Sequence, residues 1–252
     1  MVGAMKPAAA TAFCVAMLVG RPATASGTRC WLDRGAVVAA AAFGDIAGDF
    51  ILDLSRPVSG LHATRANMAG IVTPTATAAL EVAGGRLAAV TMPVVDLDAE
   101  TRDFATSIAG VIGWDVLGRY EIDLDLRHGA CRLALGRRRP LRRGNPLTMV
   151  GRAPAVAARI TDGRVSREGL FWIDTGRAAS RVADTTLSRP MPTDGAPVRL
   201  RAVSIAGALV EQIPAEPAPT DNALGGAVWA GARLRIDPAN GRWTVTWPRK
   251  PG

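Results

Sequence analysis

Phe171-Trp172-Ile173-Asp174-Thr175-Gly176-Arg177-Ala178-Ala179-Ser180 runs apolar into an aspartate and turns straight out of it at Thr-Gly. A carboxylate at the end of a buried strand is costly unless something uses it. The same design occurs earlier, at Ile51-Leu52-Asp53-Leu54-Ser55-Arg56-Pro57-Val58-Ser59. Both stretches have two apolar residues, Asp, two turn residues, Arg at +3 and Ser at +6. The two aspartates lie 121 positions apart, which divides the chain into comparable halves.

A second pair of matched stretches supports the division. Gly110-Val111-Ile112-Gly113-Trp114-Asp115-Val116-Leu117-Gly118 leads to Tyr120–Asp125, then through Arg127-His128-Gly129 into Cys131–Leu135. Ala223-Leu224-Gly225-Gly226 leads to Arg233–Asp237, then through Asn240-Gly241 into Trp243–Val245. Gly113 with Gly225, Asp125 with Asp237 and Gly129 with Gly241 align without a gap at an offset of 112. Asn-Gly between β-type runs is a strong hairpin signal. Each half reads as an opening hairpin into Asp, a middle hairpin, apolar-apolar-Gly and a final hairpin, an internal duplication.

The remaining segments fit an all-β chain. Ala36–Ala42 and Phe50–Leu54 form the first opening hairpin, with turns expected at Gly44-Asp45 and Gly48-Asp49. Leu61–Met68 suits a short helical turn, and Gly84-Gly85 turns into a strand over Leu87–Val95. Asp98–Phe104 reads as a loop or short helix. In the second half Ala153–Ile160 and Gly169–Asp174 repeat the opening hairpin. Pro197–Val203 and Ile205–Gln212 form the middle one, and the Pro-rich Pro214–Asp221 is expected to be a surface loop.

Residues 1–25 read as an export signal: Lys6, an apolar core over Ala8–Val19 too short to span a bilayer, and Ala23-Thr24-Ala25 as a small-x-small cleavage site. A buried first helix or an uncleaved anchor is the other reading. No later segment is apolar enough for a membrane helix, so no stable membrane insertion is expected once the signal is cut. The chain has three cysteines, and Cys14 falls in the signal, which leaves Cys30 and Cys131. In an oxidising compartment they can bond and tie together the two ends of the first half; two buried free thiols are the alternative. The net charge of +8 becomes +6 without Lys6 and Arg21, and much of the excess lies in Arg137–Arg139 and Arg142-Arg143. That run sits among Pro and Gly without interleaved aromatics, so a solvated connector over 136–149 is expected and no nucleic-acid partner.

These residues resemble the retropepsin-like aspartic proteases. Asp174-Thr175-Gly176 matches the family's first element and Ala223-Leu224-Gly225 its second. Val111-Ile112-Gly113-Trp114-Asp115-Val116-Leu117 is similar to the Ile-Leu-Gly-x-Asp-x-Leu segment of bacterial members. The resemblance covers nearly all of 36–248. It implies two closed β lobes, 30–135 and 150–248, with a cleft between them and one aspartate from each. The chain would then be a dimer fused into one polypeptide, expected to act as a monomer. It also implies that the Thr175 hydroxyl bonds across to the other lobe and that Gly176 leaves room for its amide to reach the carboxylate. The first lobe departs from the pattern. Leu54 cannot donate a hydrogen bond, Ser55 adds a β-carbon where glycine freedom is usual, and Pro57 stiffens the loop.

The chemistry implied is peptide hydrolysis by Asp53 and Asp174. Two like charges roughly 4 Å apart repel by about 4 kcal/mol at an effective dielectric of about 20, so such a pair holds one proton over a wide acidic range. The ionised partner takes a proton from water and the protonated one polarises the scissile carbonyl. The expected function is an exported endopeptidase acting on peptides or proteins without a cofactor or metal. The alternative is a peptide-binding module of the same fold, since extended peptides add to β flaps through main-chain bonds. Two aspartates that only cap turns are the third reading. His62 and His128 are the only histidines and no spacing suits zinc or a histidine triad. Arg56 and Arg177 can face an acidic partner or bridge to acids such as Asp115 or Asp184. Trp172 and Trp229 are expected in the core.

Overall fold

A computed structural model describes residues 28–136, 140–183, 198–220 and 222–248. The segment read as an export signal and the triplet Arg137–Arg139 lie outside these residues, as does Asp184. The described chain is mostly β-structure, with four short α-helices and one 3-10 turn at Arg127–Gly129.

The first half supplies β1 (Thr28–Asp33), β2 (Ala36–Phe43), β3 (Ile46–Leu52), β4 (Gly60–His62), α1 (Ala63–Met68), β5 (Thr75–Val82), β6 (Gly85–Val95), α2 (Asp98–Thr101), β7 (Ile108–Ile112), α3 (Trp114–Leu117), β8 (Glu121–Asp125) and β9 (Arg132–Gly136). Six of these strands pair in the order β2-β3-β7-β4-β6-β5, and β5 returns to β2, so the sheet closes into a barrel. Asp53 follows β3 directly. The strand pairs β3–β7 and β4–β6 are parallel and the others in the ring antiparallel.

The second half repeats the plan. After β10 (Asn145–Pro146) and β11 (Thr148–Val150) come β12 (Ala153–Thr161), β13 (Ser166–Ile173), β14 (Ser180–Ala183), β15 (Val198–Ile205), β16 (Ala208–Ala218) and β17 (Ala223–Leu224). Their order is β12-β13-β17-β14-β16-β15, and β15 returns to β12. Strand for strand this is the first ring again, with parallel pairs in the same two places. Then α4 (Gly226–Trp229), β18 (Arg233–Asp237) and β19 (Arg242–Thr246) complete the chain.

The halves are joined by a shared sheet, β10-β19-β18-β8-β9-β1. At its centre β8 and β18 run antiparallel, with Ile122 opposite Ile236 and Leu124 opposite Leu234. Arg233 clamps Asp123 across this seam through two hydrogen bonds of 2.8 and 2.7 Å. The bidentate geometry fixes register as well as adding energy. The connector carries β10, which pairs with β19.

Packing explains the unusual composition of β2, Ala-Val-Val-Ala-Ala-Ala-Ala-Phe. Val37, Ala39, Ala41 and Phe43 enter the main core, while Ala36 and Val38 face a smaller cluster with Ile51, Leu97, Ile108 and Val111. A strand buried on both faces reads as a continuous apolar run. The main core includes Phe50, Leu61 and Met92 from the first barrel and Phe171, Ile173 and Trp229 from the second. Three hairpins turn on a pair with positive φ, at Arg34-Gly35, Ala83-Gly84 and Ala206-Gly207, the backbone that a tight two-residue turn demands.

Three expectations are corrected. Gly48-Asp49 is not a turn; both lie within β3, opposite Ala41 and Ala40. Gly48 is there for space, because a β-carbon on it would stand 2.9 Å from the Ala109 methyl. Pro214–Ala218 is not a loop but the second half of β16. Its prolines fall where the strand is flanked on one side only. Pro214 precedes the pairing with β14, which starts at Ala215, and Pro217 follows the pairing with β15, which ends there. Without an N–H, proline is tolerated where no ladder bond is asked of it. Leu61 belongs to β4, so the helical turn starts only at Ala63.

Candidate active site

The two aspartate loops are built by the same bonds. The Asp53 N–H donates to the Ile112 carbonyl and the Asp174 N–H to the Leu224 carbonyl, both at 3.0 Å. Beneath them lie Gly113 and Gly225, the glycines of the second motif. A β-carbon on Gly113 would meet the Arg56 carbonyl at 2.5 Å, and one on Gly225 the Ala179 carbonyl at 2.3 Å. Ser59 Oγ accepts from the Gly113 N–H at 2.9 Å, and Ser180 Oγ accepts from the Gly225 N–H at 3.0 Å. The Trp114 N–H donates to the Arg56 carbonyl at 2.8 Å and the Gly226 N–H to the Arg177 carbonyl at 2.7 Å. The serine at +6, visible in both repeats, thus fastens each aspartate loop to the strand that underlies it.

Thr175 crosses between the halves. Its hydroxyl donates to the Leu52 carbonyl at 2.6 Å and accepts from the Leu54 N–H at 3.1 Å. Its carbonyl accepts from the Val37 N–H at 2.8 Å. Leu54 returns no such bond and packs instead in the core, nearly fully buried.

Gly176 is where the two aspartates meet. Its N–H donates to Asp174 Oδ1 at 2.9 Å. On its other side the Asp53 carboxylate is so close that a β-carbon on Gly176 would stand 2.7 Å from Cγ and Oδ2. Position 55 does not have the left-handed backbone that would call for glycine freedom, and neither does 176; glycine at 176 is required by space. Ser55 therefore sits without strain, and both its N–H and its Oγ donate to Asp53 Oδ1 at 2.8 Å.

No protein-family model matches this chain, and no curated protein sequence does either.

The two carboxylates have unequal surroundings. Asp53 is half-buried and faces a cleft of about 360 Å³ whose walls include Ser55, Pro57, Trp172, Gly176 and Arg181. Asp174 is fully buried, and its Oδ2 makes no hydrogen bond. Arg177 Nε and Arg181 Nη2 stand 3.4 and 3.5 Å from that oxygen, in charge contact. Burial first and the Asp53 charge second push Asp174 up to about 7, against the pull of the two arginines and the Gly176 N–H.

The matched arginines bridge to acids, though Asp115 is not one of them. Arg56 pairs with Glu100 of α2 at 3.0 Å, and Arg177 with Asp174 itself and with Glu216 at 3.9 Å. Asp115 instead accepts from the Ser59 N–H and Oγ at 2.8 and 2.7 Å. Trp172 also departs from expectation: it lines the cleft, while Trp229 is fully buried against Trp243. Arg181 escaped the sequence reading because the first half has Gly60 at the equivalent place, so no repeat marked it.

His62 caps α1, accepting from the Thr64 N–H through Nδ1, and its Nε2 lies 3.2 Å from Asp98. His128 occupies a turn with φ 59°. Among the described residues no three histidine, cysteine or acidic side chains gather as a metal requires, and no helix is long and apolar enough to cross a membrane. Cys30 and Cys131 stand at disulfide distance, with Cα atoms 4.9 Å apart.

Proposed function

We propose that this chain is an exported aspartic-type endopeptidase of retropepsin-like fold, in which Asp53 and Asp174 activate a water molecule against a peptide bond. The observation that carries the reading is the convergence of two carboxylates, from matched loops of a duplicated barrel, onto the one residue Gly176. The pairing of β8 with β18 supports it too. Asp123 lies opposite Arg235, its own counterpart at the offset of 112, which is the register a local twofold axis produces.

In this reading the pair holds one proton, and burial favours Asp174 as its holder. The open Asp53 carboxylate, held by two donors from Ser55, draws a proton from the water. Asp174 donates to the carbonyl oxygen as the water attacks carbon; the C–N bond then breaks as the nitrogen takes up the proton that Asp53 acquired, and the hydroxyl returns its proton to Asp174 as the carbonyl re-forms. The Thr175 bridge keeps the two loops in register, so that neither carboxylate drifts from the other. The fold needs no cofactor for this chemistry, and the partner is a peptide or protein bound in extended form along the cleft.

A second reading is a peptide-binding module that does not cut. It is favoured by the first-half departures Leu54 and Ser55 and by the arginine pair on Asp174, which draws that carboxylate towards a structural ion pair. One experiment separates the two: digestion of a peptide library between about pH 3 and 7, the range over which such a pair keeps one proton, with Asp174→Asn as control. Cleavage that vanishes in the variant supports the enzyme; binding without cleavage supports the module.

A further inference from the structure

Arg181 is the least satisfied charged group near the dyad. Its side chain is only 22% exposed, yet among the described residues its guanidinium makes no hydrogen bond. Its Nε is buried without a partner, and Nη2 has only the 3.5 Å charge contact with Asp174 Oδ2. Buried unpaired donors are rare in folded proteins, and a guanidinium carries five of them. The group is nonetheless held in place. It lies over the Trp172 ring at 5.7 Å, and Trp172 is itself anchored by its Nε1 donating to the Val150 carbonyl at 3.2 Å. Arg177, half-exposed, shares the same Asp174 oxygen at 3.4 Å. When Asp174 carries the shared proton, Arg181 faces no anion within salt-bridge distance among the described residues. Across the cleft Arg56, the counterpart of Arg177, is paired with Glu100, and Arg177 itself has Glu216 at 3.9 Å. Among the described residues the unspent positive charge beside the dyad is therefore that of Arg181, on the second-half side.

We infer that the cleft takes a peptide carboxylate on that side, with Arg181 as its bidentate partner and Arg177 as a second contact. A planar carboxylate matches the guanidinium fork, and the stacked tryptophan keeps the fork oriented at little entropic cost. The carboxylate has two possible sources, an acidic side chain within an extended peptide or the carboxyl terminus of a short one. This inference rests on the peptide-cleft reading and names its substrate class.

The test uses the full chain and four series of short dye-labelled peptides that share randomised flanks: a fixed central Glu or Gln, each with a free or an amidated carboxyl terminus. Binding is read by fluorescence anisotropy and cutting by mass spectrometry on the same samples. The expected result is about tenfold or tighter binding of Glu over Gln peptides, lost in Arg181→Gln and partly kept in Arg181→Lys. A preference for the free over the amidated terminus, with Glu and Gln alike, also supports the inference and assigns the carboxylate to the chain end. Equal binding of all four series, or none of any, overturns it. Because the wild-type comparison stands alone, a variant that fails to fold does not remove the test. The dyad reading fails separately: Glu-selective binding without cutting leaves the carboxylate site and removes the protease, while unselective cutting does the reverse.

Discussion

Gly176 packs against Asp53 so closely that no β-carbon fits between them: one would stand 2.7 Å from the carboxyl carbon. The contact joins the loop that follows β13 to the loop that follows β3, and it sets how near the two acids come. Gly176→Ala is therefore expected to push Asp53 aside while leaving both barrels folded. Overpacking of this kind costs about 1–3 kcal/mol. A displacement of about 1 Å at a reacting group costs on the order of a hundredfold in rate. Thermal melts and kcat/KM on a library-derived peptide check both. A Gly176→Ala chain as active as wild type would show that the close contact does not set the chemistry.

Thr175 bears on how the halves hold together. Its hydroxyl satisfies the buried Leu52 carbonyl and Leu54 N–H at once. Thr175→Val keeps the shape and strands both groups, at about 1–3 kcal/mol each. Thr175→Ser keeps the hydroxyl and is expected to cost about 1 kcal/mol or less, the size of one lost buried methyl. Denaturant unfolding of the pair checks this, and equal midpoints for Val and Ser would remove the bridge as a stabilising feature.

Where the sequence repeats itself, the site is legible in it. Asp53 and Asp174, Gly113 and Gly225, and the serines at +6 occur twice at fixed offsets, and each pair makes the same bond. The six-strand plan follows from the same duplication. What escaped reading is asymmetric or set by contacts at long range. Gly48 looks like a turn residue because nothing local reveals that β7 presses Ala109 against it. Pro217 looks like a loop breaker because its tolerance depends on where β15 stops. Arg181 has no counterpart in the first half, and only the fold brings it over Trp172 and beside Asp174. Trp172 looks like core because its strand is apolar, whereas the indole opens into the cleft.

Cys30 and Cys131 enclose the first barrel, separated by 101 positions. The Cys30 N–H donates to the Cys131 carbonyl at 3.3 Å, so the two strands are already aligned there. In the chain-entropy view, closing a loop of that length removes about 4–5 kcal/mol of unfolded-state freedom, and loss of a native bond in practice costs about 2–5 kcal/mol. For a chain of this size that lowers Tm by about 5–15 °C. Non-reducing mass spectrometry should show Cys30 and Cys131 together lacking two hydrogens, and melts with and without reductant should differ by that amount. Identical melts would mean that the cross-link adds nothing to stability.

The pH dependence follows from Asp174. Its carboxyl is pushed up to about 7 by burial and by Asp53, against an ordinary value of 3.8. Between those values the folded chain binds a proton that the unfolded chain has already released. The sign is then fixed: this group's contribution is fully present below about pH 4 and is lost as pH rises through about 7. The shift corresponds to roughly 4 kcal/mol. Asp174→Asn stays neutral at every pH and escapes the loss. Relative to wild type the variant should therefore gain stability between about pH 4 and 8, by several degrees in Tm. One effect works against this gain: the amide presents a donor where Oδ2 now faces two cations. That offset does not change with pH, so it is separated from the titration if the difference between variant and wild type is followed across pH at constant salt. Under the dyad reading, cleavage by wild type should fade over the same upper limb, as the pair gives up its last proton. A flat difference in Tm from pH 4 to 8 would mean that Asp174 is ionised throughout, held by its two arginines, and the proton shared with Asp53 would go with it.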